Sequence, residues 1–148
     1  MKNLLKPILL SGVFLLSLSS CAKSATDMVE SLKNNGFEVE HRTREDYQEI
    51  QALDLVFNYA LLAKRYIKDV KEGVTVNSMA VGVKVDEEGA HGAQIIEFGS
   101  GDEAGLIYKF YDENKGADTE IEFEGTMVQV GSCLVSYTDD YTKGVLGI

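Results

Sequence analysis

The feature that most constrains the fold is a β-hairpin pattern in the middle of the chain. Valine occupies every second position of a short run there, at Val81, Val83 and Val85. This alternation predicts a strand from Val74 to Val85. A turn at 86–89 and a partner strand from Gly92 to Phe98 follow it. The alternation changes phase at Asn77 and Ser78, which predicts a β-bulge.

Apolar residues before the hairpin follow the spacing of a helix instead. Thr43 and Asp46 form an imperfect capping box at its start. Intervals of three or four residues then define one apolar face, made of Ile50, Leu53, Phe57, Ala60, Ala63, Tyr66, Ile67 and Val70. The pattern predicts a helix from Arg44 to Lys71, closed by Gly73. It is either continuous or broken near 53–56, because it exceeds the usual helix length.

A shorter helix and a strand are predicted nearer the amino terminus. Thr26 or Asp27 can cap a helix that runs to about Asn35, where Gly36 stops it. Residues 37–41 alternate apolar and charged side chains, which predicts a short strand.

Two further helices are predicted in the second half of the chain. Ser100 and Glu103 have the spacing of a capping box and start a helix that runs to about Asn114. The stretch from Asp139 to Leu146 predicts one more short helix near the carboxyl end.

A second hairpin is predicted between these two helices. Ile121 and Phe123 alternate with acidic residues, at Glu120, Glu122 and Glu124. Gly125 then turns the chain into a partner strand from Met127 to Val135. One face of this hairpin is apolar and the other is acidic.

In chain order the central elements are strand, helix, strand, strand, helix and strand. This order is that of the ferredoxin-like split βαβ arrangement. The predicted fold class is therefore α+β, ferredoxin-like (βαββαβ), with an extra hairpin strand and terminal helices. Both central helices would cover one sheet face, leaving the other for a partner, an oligomer contact or the terminal helices.

Residues 1–20 have the composition of an export signal. Two lysines precede an apolar run from Ile8 to Leu18, which ends in small residues. The run is too short to cross a bilayer, since a spanning helix needs about 20 residues. We therefore predict a signal peptide over 1–20, a lipidated cysteine and tether over 21–25, and a single domain over 26–148.

The segment from Leu18 to Cys21 resembles the lipobox of bacterial lipoproteins. The resemblance implies cleavage before Cys21 and attachment of diacylglycerol to its sulfur. At least two acyl chains, palmitate among them, would then hold the protein on the extracytoplasmic face of the cell membrane or facing the periplasm. From the residues alone, cleavage after Ser20 without lipidation is the alternative.

The chain is acidic, with 24 Asp and Glu residues against 14 Lys and Arg and a formal net charge of −10. This excess argues against nucleic acid as a partner, because binding it requires neutralisation of phosphates. It also argues against docking on anionic headgroups, so membrane attachment is assigned to the lipid anchor. The acidic face of Glu120, Glu122 and Glu124 would favour a basic protein or envelope component, with salt-dependent association.

The second cysteine has two interpretations. With Cys21 lipidated, Cys133 has no intramolecular disulfide partner. Its apolar neighbours predict a small buried hydrophobic side chain. The alternative is a nucleophilic or redox thiol, which would need a nearby base. His41 and His91 are the available histidines, and neither lies in a recognisable catalytic pattern.

The sequence offers weak candidates for bound ions. Residues from Asp112 to Glu120 have the composition of a calcium loop, but the glycine and the final ligand are out of register. The glycines beside Ser100 could cradle an anion, but the acidic residues that follow would repel it. No third ligand lies at a spacing from His41 and His91 that is typical of a zinc site. We expect no metal and no cofactor.

The functional expectation is recognition rather than catalysis. The chain contains no Gly-x-Ser-x-Gly or His-Glu-x-x-His motif. Residues from about Gly101 to Lys143, including the Glu124-Gly125-Thr126 turn, are similar to small uncharacterised lipoproteins of low-GC Gram-positive bacteria, a likeness that implies no site residues. We expect a non-enzymatic, lipid-anchored binding or interaction protein. The alternatives are a small cell-envelope enzyme or enzyme inhibitor, with a cleft beside Ser100, and a structural envelope protein that self-associates across the open sheet face.

Four tyrosines could take part in such recognition, namely Tyr59, Tyr66, Tyr137 and Tyr141. Exposed aromatic side chains favour binding, because they bury a large area at little entropic cost. Aromatic side chains at helical spacing more often belong to a core. The sequence leaves both interpretations open, and the exposure of these side chains separates them.

Overall fold

The computed structural model of the chain describes residues 23–67, 73–115 and 125–148. In chain order the elements are α1 (Ala25–Asn34), β1 (Glu38–Thr43), α2 (Gln48–Ala63), β2 (Val76–Asp86), β3 (Gly89–Phe98), α3 (Gly101–Asn114), β4 (Thr126–Val130), β5 (Cys133–Tyr137) and α4 (Asp140–Leu146). The predicted signal peptide, Cys21 and the acidic residues Glu120, Glu122 and Glu124 lie outside the described residues.

The strands form one sheet in the order β1-β2-β3-β5-β4, with every neighbouring pair antiparallel. The α+β class with terminal helices is confirmed. The ferredoxin-like pairing is wrong, because a split βαβ unit separates the two strands that one helix joins. Here α2 joins β1 and β2, which are direct antiparallel neighbours. Periodicity predicts that a strand exists but not its partner, since both free edges of a hairpin offer the same unpaired backbone groups.

The central hairpin and its bulge are confirmed. β2 and β3 pair from Val76 opposite Phe98 to Asp86 opposite Gly89. The register shifts between Val76 and Ser78, where the sequence predicts the bulge. The long hairpin therefore forms the middle of the sheet, with β1 added on one side and β5 on the other.

Helices cover both faces of the sheet. We name the face under α2 and α3 the front and the face under α1 and α4 the back. Along β3, Ile96 and Phe98 join the front core, whereas Ala93 and Ile95 join the back core. This alternation is the period of two that a strand imposes. The terminal helices thus occupy the face that remained open in the sequence-based prediction.

The long predicted helix is shorter at both ends than expected. It begins at Gln48 because Thr43 belongs to β1 and the Arg44 N–H donates to the Asn77 carbonyl at 2.8 Å. It ends at Ala63 because Arg65 has a left-handed backbone with φ of 62°. The N–H groups of Arg65 and Tyr66 then bond back to the carbonyls of Leu62 and Leu61, which is a Schellman motif.

The second hairpin has a different turn from the predicted one. β4 and β5 pair from Thr126 opposite Tyr137 to Val130 opposite Cys133. The strand predicted from Met127 to Val135 is therefore two strands, joined by Gly131 and Ser132. Gly131 has φ of 57°, so this Gly-Ser pair is the sequence signal that identifies the turn. The predicted first arm, 120–124, lies outside the described residues.

Three of the described helices start with a side-chain cap, whereas α2 starts after Tyr47 without one. Ser24 caps α1 and forms a capping box with Asp27, so α1 begins slightly earlier than expected. The Ser100 side chain accepts a hydrogen bond from the Glu103 N–H and starts α3, as predicted. Asp139 caps α4 by accepting from the Thr142 N–H at 2.8 Å, which confirms the predicted last helix.

Candidate functional site

The outer face of α2 carries an exposed row of apolar side chains. Leu55 and Tyr59 are each 72 % exposed, and Val56 and Leu62 are 47 % and 40 % exposed. We name this row, together with the exposed Ala52 and Ala63, the α2 stripe. Contiguous exposed apolar groups on a folded protein mark interaction sites more often than single ones do.

The geometry of a helix places the α2 stripe on one side. At 3.6 residues per turn, positions 52, 55, 56, 59, 62 and 63 fall within one face. The opposite face is buried in the front core through Ile50, Phe57 and Leu61. α2 is therefore apolar on both sides, although only one side is covered within the described residues.

The α2 stripe is also poor in charge. Charged residues make up 26 % of the chain, yet Asp54 is the only one between Gln51 and Ala63. Asp54 is not a free charge, since it pairs with Arg44 at 2.7 Å and accepts the Val76 N–H at 2.8 Å. The outer face of α2 thus presents apolar surface over about three turns without a charge of its own.

Polar side chains on the inner side of α2 fix this helix against the start of β2. Asn58 is buried and makes two bonds to the Val74 backbone. Its Nδ2 donates to the carbonyl at 2.9 Å, and its Oδ1 accepts the N–H at 2.7 Å. Asp54 lies one turn earlier and binds Val76. Sequence analysis missed this pair, although two polar residues four apart in an otherwise apolar run are a signal for it.

A polar cavity of about 530 Å³ opens at one end of the sheet. It is lined by Thr26, His41, Thr43, Arg44, Glu45, Asp46, Asn77, Ser78 and Glu97. The Nε2 atom of His41 is buried and has no hydrogen-bond partner. The buried Ser78 hydroxyl donates to Glu97 at 3.4 Å. The cavity lining carries three carboxylates, those of Glu45, Asp46 and Glu97, and its serine is bonded to a glutamate rather than to a histidine.

The other histidine forms a charged cluster with residues of three segments. His91 on β3 is 7 % exposed, and its Nδ1 lies 2.7 Å from Asp139 at the start of α4. Its Nε2 lies 3.1 Å from Asp86 at the end of β2. Lys84 and Tyr141 complete the cluster, since the ammonium lies 2.7 Å from the phenol oxygen and the Tyr141 ring packs on His91. Both ring nitrogens are engaged, so His91 is a tie between α4 and the hairpin.

Hydrogen bonds within this cluster shift the pKa values of His91 and Asp139. The bonds to Asp139 and then to Asp86 raise the pKa of His91 above its ordinary value. The Thr142 N–H is the largest cause that lowers the pKa of Asp139 to about 2. His91 therefore stabilises the fold fully below about pH 6.5, and this contribution is lost as pH rises through its raised pKa. The contribution of Asp139 is present above about pH 3.8 and is lost as pH falls towards 2.

His91→Gln tests this tie. We expect the variant to be less stable than the parent near pH 6, and the difference to shrink as pH rises to 9, because neutral His91 no longer pairs with the two carboxylates. Urea unfolding followed by circular dichroism at several pH values measures the difference. His41→Gln is the matched control for loss of a histidine elsewhere. A difference that grows with pH would contradict the assignment.

Cys133 is a buried side chain of the back core, 1 % exposed. Burial, reinforced by the Glu97 carboxylate, raises the pKa of its thiol to about 11. A thiol in this environment is almost wholly protonated at neutral pH, and the thiolate is the reactive form. The structure thus confirms the predicted burial.

The burial of Cys133 predicts slow labelling. In a full chain carrying Cys21→Ala, we expect the remaining thiol to react with a disulfide reagent at pH 7.5 only as fast as the protein unfolds. Absorbance of the released thiolate measures the rate, and the same protein in urea is the control. Complete native labelling within minutes would show an accessible thiolate and contradict the prediction.

The other predicted sites have structural roles where they are described. The Glu103 carboxylate accepts the Thr75 N–H at 2.7 Å instead of completing the capping box, so it ties α3 to the residue before β2. Asp112 pairs with Lys115, and Asn114 bonds to Tyr66 and to the Phe110 carbonyl. The rest of the acidic run, 116–120, lies outside the described residues. Within the described ranges, no three His, Cys, Asp or Glu side chains are placed to hold a metal ion.

The four candidate tyrosines divide between core and surface. Tyr137 is buried in the back core, and Tyr66 is half-buried against Phe110 of α3 at a ring distance of 5.2 Å. Tyr141 is 39 % exposed but packs on His91 and Phe37. Tyr59 is the most exposed of the four and lies at the centre of the α2 stripe.

None of the helices in the part of the chain described combines the length and apolar character needed to cross a membrane. Comparison of the chain with protein-family models, with curated proteins and with solved structures found no match.

Proposed function

We propose that this chain is a lipid-anchored, extracytoplasmic interaction protein that recognises another protein through the α2 stripe. The observation that carries the proposal is the exposure of Leu55, Val56, Tyr59 and Leu62 on a helix segment whose one charge is internally paired. Interfaces concentrate binding energy in a few residues, among which tyrosine is enriched, and their cores are depleted in charged residues. Tyr59, flanked by aliphatic neighbours, has this character.

The location rests on the export signal and the lipobox-like segment from Leu18 to Cys21. We expect labelled palmitate to enter the full chain in living cells and Cys21→Ala to abolish incorporation. Ser20→Ala, which keeps the small residue before the cysteine, is the matched control. Incorporation that survives Cys21→Ala would refute the anchor and leave the α2 stripe as a separate question.

Site-specific photocrosslinking in intact cells tests recognition. A benzophenone amino acid at position 59 of the full chain lies at the centre of the α2 stripe. We expect it to form a protein adduct. The same group at Lys109, an exposed position of α3, is the matched control and should give little adduct. Equal adducts at both positions, or none at position 59, would refute recognition through α2.

A further inference from the structure

The charges that flank the two ends of the α2 stripe make this surface complementary to a second copy of itself. Glu49 is exposed one turn before the stripe begins, and Lys64 is exposed directly after it ends. At 100° per residue, Glu49 lies about 20° and Lys64 about 80° beyond Val56 around the helix, both in the same direction. An apolar row is thus bounded by an acid at one end and a base at the other, both on one side.

Resting on the proposed function, we propose that the partner is a second copy of this chain, with the two α2 helices packed antiparallel about a two-fold axis. Such an isologous interface requires that one patch be complementary to itself. Antiparallel pairing places Glu49 of one copy beside Lys64 of the other, twice. Parallel pairing would instead place like charges together, which is unfavourable.

The midpoint between the two flanking charges lies within one residue of the midpoint of the α2 stripe. The midpoint between Glu49 and Lys64 falls between Val56 and Phe57, and the midpoint of the stripe from Ala52 to Ala63 falls between Phe57 and Asn58. One residue along a helix is about 1.5 Å. A single two-fold axis near residue 57 therefore satisfies the ion pairs and the apolar packing together.

The spacing along the stripe also suits helix-to-helix packing. Ala52, Leu55, Tyr59 and Leu62 are separated by three, four and three residues, which is the a and d spacing of a heptad. Alanines at both ends let two backbones approach. Three turns make a modest interface, and tethering both copies to one membrane would raise their effective concentration.

A membrane fits the same surface less well. Interfacial helices carry a basic polar face around the apolar one, whereas the start of α2 is flanked by the exposed acids Glu45, Asp46 and Glu49. The net charge of −10 also repels anionic headgroups. Antiparallel pairing with a second copy uses Glu49 as well as Lys64.

Cysteine crosslinking of the full chain in membranes tests the geometry. With a mild oxidant, we expect Val56→Cys to form a disulfide-linked dimer of twice the chain mass, because this position lies beside the two-fold axis. Glu49→Cys alone should not crosslink, since its copies would lie about 22 Å apart along the helices. Both of these positions are exposed, so circular dichroism should match the parent.

Charge exchange tests the ion pairs independently. We expect Lys64→Glu to lower the yield of the Val56→Cys dimer about two- to five-fold, the size of an exposed charge-pair effect. Adding Glu49→Lys to the same chain should restore the yield. Leu55→Glu with Leu62→Glu should lower it about ten-fold or more, because these two exposed apolar side chains belong to the contact and charge there would have to be desolvated.

The outcomes separate this inference from the proposed function. A position-59 adduct with a different protein would support recognition through α2 and overturn self-pairing. Self-crosslinking of Glu49→Cys would overturn the antiparallel arrangement. A crosslink within one copy, or one to lipid alone, would overturn both proposals.

Discussion

Replacing Asn58 by leucine is expected to lower the free energy of unfolding by about 2–4 kcal/mol. The side chain is 8 % exposed and satisfies both backbone polar groups of the buried Val74. Leucine has a similar volume but leaves a buried donor and a buried acceptor unpaired, and each such group costs about 1–3 kcal/mol. Urea unfolding monitored by circular dichroism measures the loss.

Two variants calibrate the Asn58 result. Asn58→Asp keeps an acceptor for the Val74 N–H and loses the donor to its carbonyl, so we expect an altered, pH-dependent stability. Tyr59→Ser changes the adjacent exposed position and should alter stability by about 0.5 kcal/mol or less. If Asn58→Leu is as mild as Tyr59→Ser, the paired bonds do not hold α2 in place.

Replacing Gly125 by alanine is expected to lower the free energy of unfolding by about 3 kcal/mol. Its backbone has φ of 85°, and an added Cβ would lie 2.4 Å from the Tyr137 carbonyl oxygen. The substitution therefore combines left-handed strain of about 1–2 kcal/mol with a collision against β5 whose relief displaces backbone. Thermal and urea unfolding measure the effect.

Other glycines separate the two causes. Gly89 has φ of 130° but open space where a Cβ would be, so Gly89→Ala reports strain without collision. Gly144 lies in α4, where an added Cβ would meet open space, and Gly144→Ala should stabilise by about 0.5–1 kcal/mol. If Gly125→Ala lowers the free energy of unfolding no more than Gly89→Ala does, the close approach to Tyr137 does not contribute to the loss of stability.

The parts of the fold that sequence patterns predicted are those governed by local rules. The β2–β3 hairpin, its bulge at Asn77 and Ser78, the Ser100 cap and the Asp139 helix were all recognisable, because each depends on residues within a few positions of one another. The errors concern distant partners. The end of α2 at Ala63 was missed because a left-handed arginine such as Arg65 is unusual, and because Tyr66 packs on Phe110 of α3, which is distant in the chain.

The candidate site was only half recognisable. Tyr59 was one of four candidate tyrosines, but helical spacing is compatible with either a core or a surface position. What decided between them was which side of α2 the sheet covers. The roles of Asp54 and Asn58 depend likewise on the backbone of Val74 and Val76, which lies 16–22 positions away in the chain.

By itself, the sequence determined the α+β class, the central hairpin, most helix starts and the acidic balance, because periodicity, capping and charge are properties of neighbouring residues. Only the tertiary structure decided the strand order, the coverage of both sheet faces and the exposure of the α2 stripe. These features depend on which strand edges pair and which apolar faces pack together, and the separate elements offer several equivalent edges and faces. That choice is made by the packing of the whole chain rather than by any one segment of it.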